Sequence, residues 1–182
     1  TEAPARRISA GTLTPVLSDD GHDLAAAIQT IREIGDAEGL RSVIDDAFPG
    51  SEIMIRWTDA GMQLSLNQPG MLRELTAAEL SDGTLRYLLL VGALLTPRPP
   101  ELMVLNEPEN SLHPDLLPAL ARMIRIAAEN SQIIVVSHSD QLVSELRSDE
   151  ICESICLEKR LGETVVRGAD LLSQRGWKWP AR

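Results

Sequence analysis

Two short apolar runs, Leu102-Met103-Val104-Leu105 and Ile133-Ile134-Val135-Val136, contain no alternating polar residue. Such runs are expected of parallel strands covered on both faces, and parallel neighbours need a crossover between them. The intervening sequence supplies one. Leu116, Leu117, Leu120, Met123, Ile124 and Ala127 recur at helical spacing behind Pro114, a residue suited to a first turn. A strand, helix, strand unit therefore predicts an α/β fold with a short, mainly parallel sheet and flanking helices.

Upstream, Pro4, Gly11, Pro15 and Gly21 break the chain into an irregular leading segment up to about Asp23. Leu24, Ile28, Ile31 and Ile34 then predict a helix stopped by Gly35. Leu40, Val43, Ile44 and Phe48 predict a second helix, ended by Pro49-Gly50. Ile53, Ile55 and Trp57, and then Met62, Leu64 and Leu66, alternate with other residues around Asp59-Ala60-Gly61, the pattern of a hairpin. Residues 85–95 are apolar nearly all round, as a buried helix would be. Beyond residue 136 the pattern predicts a helix from about Gln141, a strand near 151–157 and another near 164–166. Residues 1–78 thus form a helical pair and hairpin, and residues 79–182 an α/β core, read together as one continuous domain.

With 182 residues and 43% hydrophobic content, the chain can bury a substantial core. Aromatics are only 3%, so that core must be aliphatic. A formal charge of −10 argues against this segment being the main nucleic-acid-gripping surface, which needs clustered Lys and Arg. Cys152 and Cys156, the only cysteines, are expected to be buried in a strand as small hydrophobes, in a reducing compartment. No run approaches a membrane span and no signal peptide heads the chain, so a cytoplasmic protein is expected. The first residue is Thr1 rather than Met, which suggests a trimmed or truncated product. Trp177 and Trp179 bracket Lys178, an arrangement suited either to base stacking or to pinning the tail on its own domain.

Three motifs bear chemistry. Glu107 follows an apolar strand, at the carboxyl edge where ligands of open α/β sheets bind, and suits a general base that polarises a water. It also suits a charged residue closing a strand before Pro108. Leu80-Ser81-Asp82-Gly83-Thr84 opens the buried helix, offering a hydroxyl and free N–H groups at the positive end of the helix dipole. Those features fit a phosphate and fit an ordinary N-cap equally. Ser137-His138-Ser139 ends the second strand, where an imidazole meets either a γ-phosphate or only solvent.

Taken in this order, the motifs resemble the C-terminal half of an ABC-type ATPase of the RecF/SMC-like, AAA-type predicted ATPase group. The resemblance implies the C-terminal lobe of a P-loop ATPase with a small helical and β-hairpin subdomain. Ser81 and Gly83 match the signature motif, which binds the γ-phosphate of ATP held by the opposite protomer; Asp82 and Thr84 replace the Gly and Gln of its transporter form, a variant that resembles the RecF-like branch, and stand with them as nucleotide-binding residues. Glu107 matches the catalytic glutamate after Walker B, and His138 the switch histidine. Asn110-Ser111-Leu112-His113-Pro114 matches the D-loop region that crosses the dimer interface, with Ser111 as its nucleotide-side residue. Asp20-Gly21-His22-Asp23 resembles, more loosely, the turn that enters the signature-bearing lobe. Asn106 stands where Walker B usually has Asp, so any Mg²⁺ would be held indirectly, through water.

ATP and Mg²⁺, a homodimer closed on ATP, and a setting in DNA metabolism or defence are what the resemblance implies. No Gly-x-x-x-x-Gly-Lys-Ser/Thr phosphate loop occurs in these residues. The isolated segment is therefore expected to be inactive, or to be a non-catalytic half-cassette that docks on a partner supplying that loop.

Overall fold

The computed structural model describes residues 3–148 and 152–167. A single 3-10 turn (Pro4–Arg6) leads into extended chain, where Ser9 bridges Met62. Helix α1 (Leu24–Ile34) follows and ends at Gly35, whose N–H bonds the Ile31 carbonyl. Helix α2 (Ala37–Ala47) is opened by Asp36, which accepts a hydrogen bond from the Gly39 N–H at 2.8 Å. Strands β1 (Glu52–Thr58) and β2 (Gly61–Asn67) form the expected hairpin. A two-residue strand, β3 (Leu75–Thr76), adds to the β2 edge and was not legible from periodicity.

The second half opens with helix α3 (Asp82–Leu94), buried along Leu85, Tyr87, Leu88, Val91 and Leu94. Strand β4 (Leu102–Asn106) then runs parallel to β5 (Gln132–Val136), joined by helix α4 (Leu117–Ala128). Pro114 starts a short 3-10 turn just ahead of α4 rather than the helix itself. Helix α5 (Asp140–Arg147) succeeds β5. One compact unit ends at Leu146; a second holds β6 (Leu157–Arg160) and β7 (Glu163–Val166), an antiparallel pair. No helix among the described residues is long and apolar enough to cross a membrane.

The core of the first unit draws on residues before and after position 78. Leu24, Ile28 and Ile31 of α1 and Leu120 and Met123 of α4 are buried together with Tyr87, Leu88 and Val91 of α3. Tyr87 meets Phe48 edge to face, with ring centroids 5.5 Å apart. Its buried hydroxyl donates to the Val43 carbonyl at 3.0 Å, and burial pushes the phenol above its ordinary value. Thus α3, the helix opened by Ser81, is fixed from several sides.

Several expectations need correction. Among the described residues, one face of the β4–β5 sheet is covered: Met103, Leu105, Ile133 and Val135 pack on the core, whereas Val104 is 60% exposed and Leu102, Ile134 and Val136 are also exposed. Apolar runs report the absence of polar side chains, and that condition is met whether or not a second layer is present. The strand expected near 151–157 begins only at Leu157, and it pairs with β7 across a turn at residues 161 and 162, whose positive φ angles are 49° and 92°. β6 and β7 form a two-stranded sheet. Cys152 and Cys156 are exposed and lie outside any strand. Trp177, Lys178 and Trp179 fall outside the described residues.

Sequence spacing gives Ile34 and Leu88 the same apolar status, but Leu88 is fully buried and Ile34 is 55% exposed. Leu88→Ala is expected to cost about 3 kcal/mol of stability, the usual range for a core Leu truncation. Ile34→Ala should cost less than about 1 kcal/mol. Urea denaturation midpoints check both, and equal losses would contradict this core.

Candidate functional site

Parallel pairing of β4 and β5 sets Asn106 opposite Val136. The residues that follow each strand, Glu107 and Ser137-His138, therefore leave the sheet at the same carboxyl edge. The Glu107 N–H extends the ladder by donating to the Val136 carbonyl at 2.8 Å. One Glu107 carboxylate oxygen, Oε2, accepts from Asn110 Nδ2 at 2.6 Å. The other, Oε1, lies 3.4 Å from His138 Nε2. The imidazole is largely exposed and the carboxylate partly so, leaving both open to a ligand at the rim.

Glu107 holds a φ of +46° and Ser111 one of +65°, both in the left-handed region. A non-glycine residue there costs on the order of 1–2 kcal/mol. Such strain survives only where surrounding contacts over-determine it, and it concentrates at functional sites. Here buried Pro108 and the Asn110 N–H to Glu107 carbonyl bond, at 3.1 Å, hold the reversal.

The α3 start comes against the same loop. A Cβ added at Gly83 would lie 2.7 Å from the Ser111 carbonyl oxygen, so glycine is required here by close approach. Arg86 Nη2, one turn on, reaches toward the Glu107 carbonyl at 3.5 Å. Ser81 occupies the N-cap: its Oγ accepts from the Thr84 N–H at 3.1 Å and lies 2.9 Å from Thr84 Oγ1. Asp82 pairs with Arg6. Gly21, at φ +70°, packs its turn on α3, since a Cβ there would sit 2.5 Å from Leu89 Cδ2.

Residues that sequence reasoning passed over organise this site. Arg6 donates to the carbonyls of Ala77 at 3.0 Å and Leu80 at 2.7 Å, tying down the chain that enters α3. Glu109 accepts from the Ser137 hydroxyl and from the His138 and Ser139 N–H groups. Burial pushes its carboxyl up, but the Ser137 hydroxyl and those N–H groups, with its own, outweigh that and hold it below the ordinary range. Only the pattern Glu107-Pro108-Glu109 hinted at a second carboxylate; its partners lie far along the chain.

Asn106 ends β4, exposed, with a side-chain amide oxygen as its only acceptor. No group of three or more His, Cys, Asp or Glu among the described residues could hold a metal ion.

Two predictions follow from this geometry. Gly→Ala in a first turn normally stabilises by about 0.4–1 kcal/mol. Gly83→Ala should instead destabilise by about 1–3 kcal/mol through overpacking on Ser111, as read by thermal melting; a stabilised variant would refute the contact. The second concerns Glu79, just before the signature residues. Its carboxylate is bound by Arg73 and by the Thr76 N–H and hydroxyl, which lower its pKa to about 2. A depressed folded pKa means its contribution is complete above the ordinary 4.5 and is lost as pH falls through about 2. Carboxyl NMR titration should show that value, and Arg73→Ala should return it toward 4.5.

The family described as "AAA domain, putative AbiEii toxin, Type IV TA system" matches residues 6–144. No curated protein matches the sequence. Among solved structures, one described as "Structural biochemistry of ATP-driven dimerization and DNA stimulated activation of SMC ATPases" is 16% identical, with a TM-score of 0.60 over 80% of this chain and 88% of that one. An Smc head domain with a coiled coil and joint from Pyrococcus yayanosii is 16% identical, with a TM-score of 0.60 over 80% of this chain and 28% of that one. The SMC head domain from Thermotoga maritima is 17% identical, with a TM-score of 0.55 over 81% of this chain. The chain spans about half of that last structure and less of the Pyrococcus one. At these identities the likeness shows the fold. The family match, spanning most of the sequence, shows that the chain belongs to this AAA-domain family.

Proposed function

We propose that this chain forms the signature-bearing lobe of an ATPase whose two copies close on ATP and hydrolyse it. The observation that carries the reading is the Glu107 carboxylate, held between Asn110 and His138 at the carboxyl edge of two adjoining parallel strands. There Glu107 acts as general base, accepting a proton from the attacking water, while His138 orients that water or contacts the γ-phosphate. Ser81, Gly83 and Thr84 present the α3 N-terminus to the γ-phosphate of ATP held by the opposite protomer, with Ser111 at the protomer boundary. Asp82 sets the charge of that helix start through its Arg6 pair. Where Mg²⁺ accompanies the nucleotide, the phosphates would hold most of it, and Asn106 would offer only a neutral acceptor to one of its waters.

The Lys and backbone nest that usually cradle the phosphates are not written in these residues. They come from another segment or chain. A second reading, a non-catalytic half-cassette that docks on such a partner, is favoured by the exposed apolar face of Leu102, Val104, Ile134 and Val136. Action on DNA, in repair, chromosome handling or defence, is the setting of both readings. Because the net charge is −10, the grip on DNA belongs to other surfaces. A cytoplasmic location accords with the two free cysteines.

ATP turnover by the chain assembled with a phosphate-loop segment separates the readings. Glu107→Gln should lower turnover by about 100-fold or more while the ATP-bound dimer accumulates. Unchanged turnover would remove Glu107 from the chemistry and leave the docking module. The 182-residue chain alone should show no tight Mg-ATP binding in calorimetry; tight binding would contradict the division of the site.

A further inference from the structure

We infer that Glu109 is a positioning residue, a strut that fixes the switch-histidine loop to the loop bearing Glu107. This rests on the ATPase reading for its functional meaning, while its geometry stands alone. Residues 137–139 follow β5 and form no part of its ladder, so strand pairing does not set their path. One carboxylate oxygen of Glu109 does. Its Oε1 accepts from Ser137 Oγ at 2.5 Å, from the His138 N–H at 3.0 Å and from the Ser139 N–H at 3.2 Å. Three donors from three successive residues converge on one atom, leaving the backbone of His138 little freedom.

The arrangement continues on both sides. Ser139 Oγ accepts from the Leu142 N–H at 3.2 Å, so the same loop also caps α5. Glu109 itself stands two residues from Glu107 and two from Ser111, whose carbonyl abuts Gly83. Its second oxygen, Oε2, is buried and takes no hydrogen bond from any described residue, and no described salt bridge reaches this carboxylate. A partly buried carboxylate held by dipoles alone is an expensive way to brace a loop where an apolar contact would serve. What it supplies is direction. The acceptor set forces the His138 N–H inward, and the imidazole is carried outward beside Glu107 Oε1 at 3.4 Å. Glu109 touches no reacting atom; it acts through His138.

The test uses the chain as it exists and then the assembled ATPase. Amide hydrogen exchange by NMR is compared for wild type, Glu109→Gln and Glu109→Ala. Removing a charge-assisted acceptor should speed exchange at His138 and Ser139 by about tenfold or more in Glu109→Ala. Glu109→Gln, which keeps an acceptor oxygen of the same reach, should recover part of that protection. The β4–β5 ladder amides should be unaffected in both variants. In the assembled enzyme, Glu109→Ala should lower kcat by about tenfold with KM for ATP unchanged, the mark of a group felt in the transition state. Unchanged exchange at His138 and Ser139 overturns the strut, as does loss of protection spread evenly through β4 and β5. If Glu107→Gln abolishes turnover and Glu109→Ala leaves kcat intact, the positioning role falls and the ATPase reading stands. If Glu107→Gln leaves turnover intact, the ATPase reading falls, whatever the exchange data show.

Discussion

One pairing governs the rest of this molecule: β4 lies parallel to β5 with Asn106 opposite Val136. In a parallel pair both strands point the same way, so whatever follows each must emerge at one edge. That edge receives a carboxylate from the first strand and an imidazole from the second. Helix α4 makes the register possible, because its buried stripe of Leu120, Met123 and Ile124 holds the crossover against the core. Loss of that packing would unmake the rim without touching a single polar residue in it.

The rim is built from strained and charged parts over a conventional aliphatic base. Glu107 and Ser111 adopt left-handed backbone angles that glycine would take more cheaply. Glycine at 107 would lose the carboxylate, a group suited to proton transfer. Gly83 shows the converse case, with a side chain given up so that α3 can approach the Ser111 carbonyl. The short loop of residues 107–111 thus touches the start of α3 on one side and the residue 137–139 turn on the other.

Much of this was legible from residues alone. The β4, α4 and β5 elements announced themselves through unbroken aliphatic runs around a helical stripe, and α1 and α2 ended near the glycine and Pro-Gly signals. The three motifs reached their expected elements for the same reason. What stayed hidden depends on contacts between residues far apart in sequence. Nothing near Arg6 reveals that its guanidinium binds carbonyls just ahead of Ser81, and nothing near Glu109 reveals three donors some thirty residues on. The bare face of the parallel sheet was equally invisible, since Val104 and Leu105 read alike until one is seen to point away from the core. The free cysteines failed for another reason: their usual burial is a statistical habit, and here both are exposed and precede the strand.

The central claim is that this rim is where nucleotide meets the fold. Paramagnetic broadening by Mn²⁺-ATP, read by NMR on the chain assembled with a phosphate-loop segment, addresses it directly. Selective broadening is expected at Glu107, Asn110 and His138, with the exposed β1–β2 turn at Asp59 and Ala60 left sharp. Sharp signals at Glu107 and His138, with broadening on another surface, would contradict it.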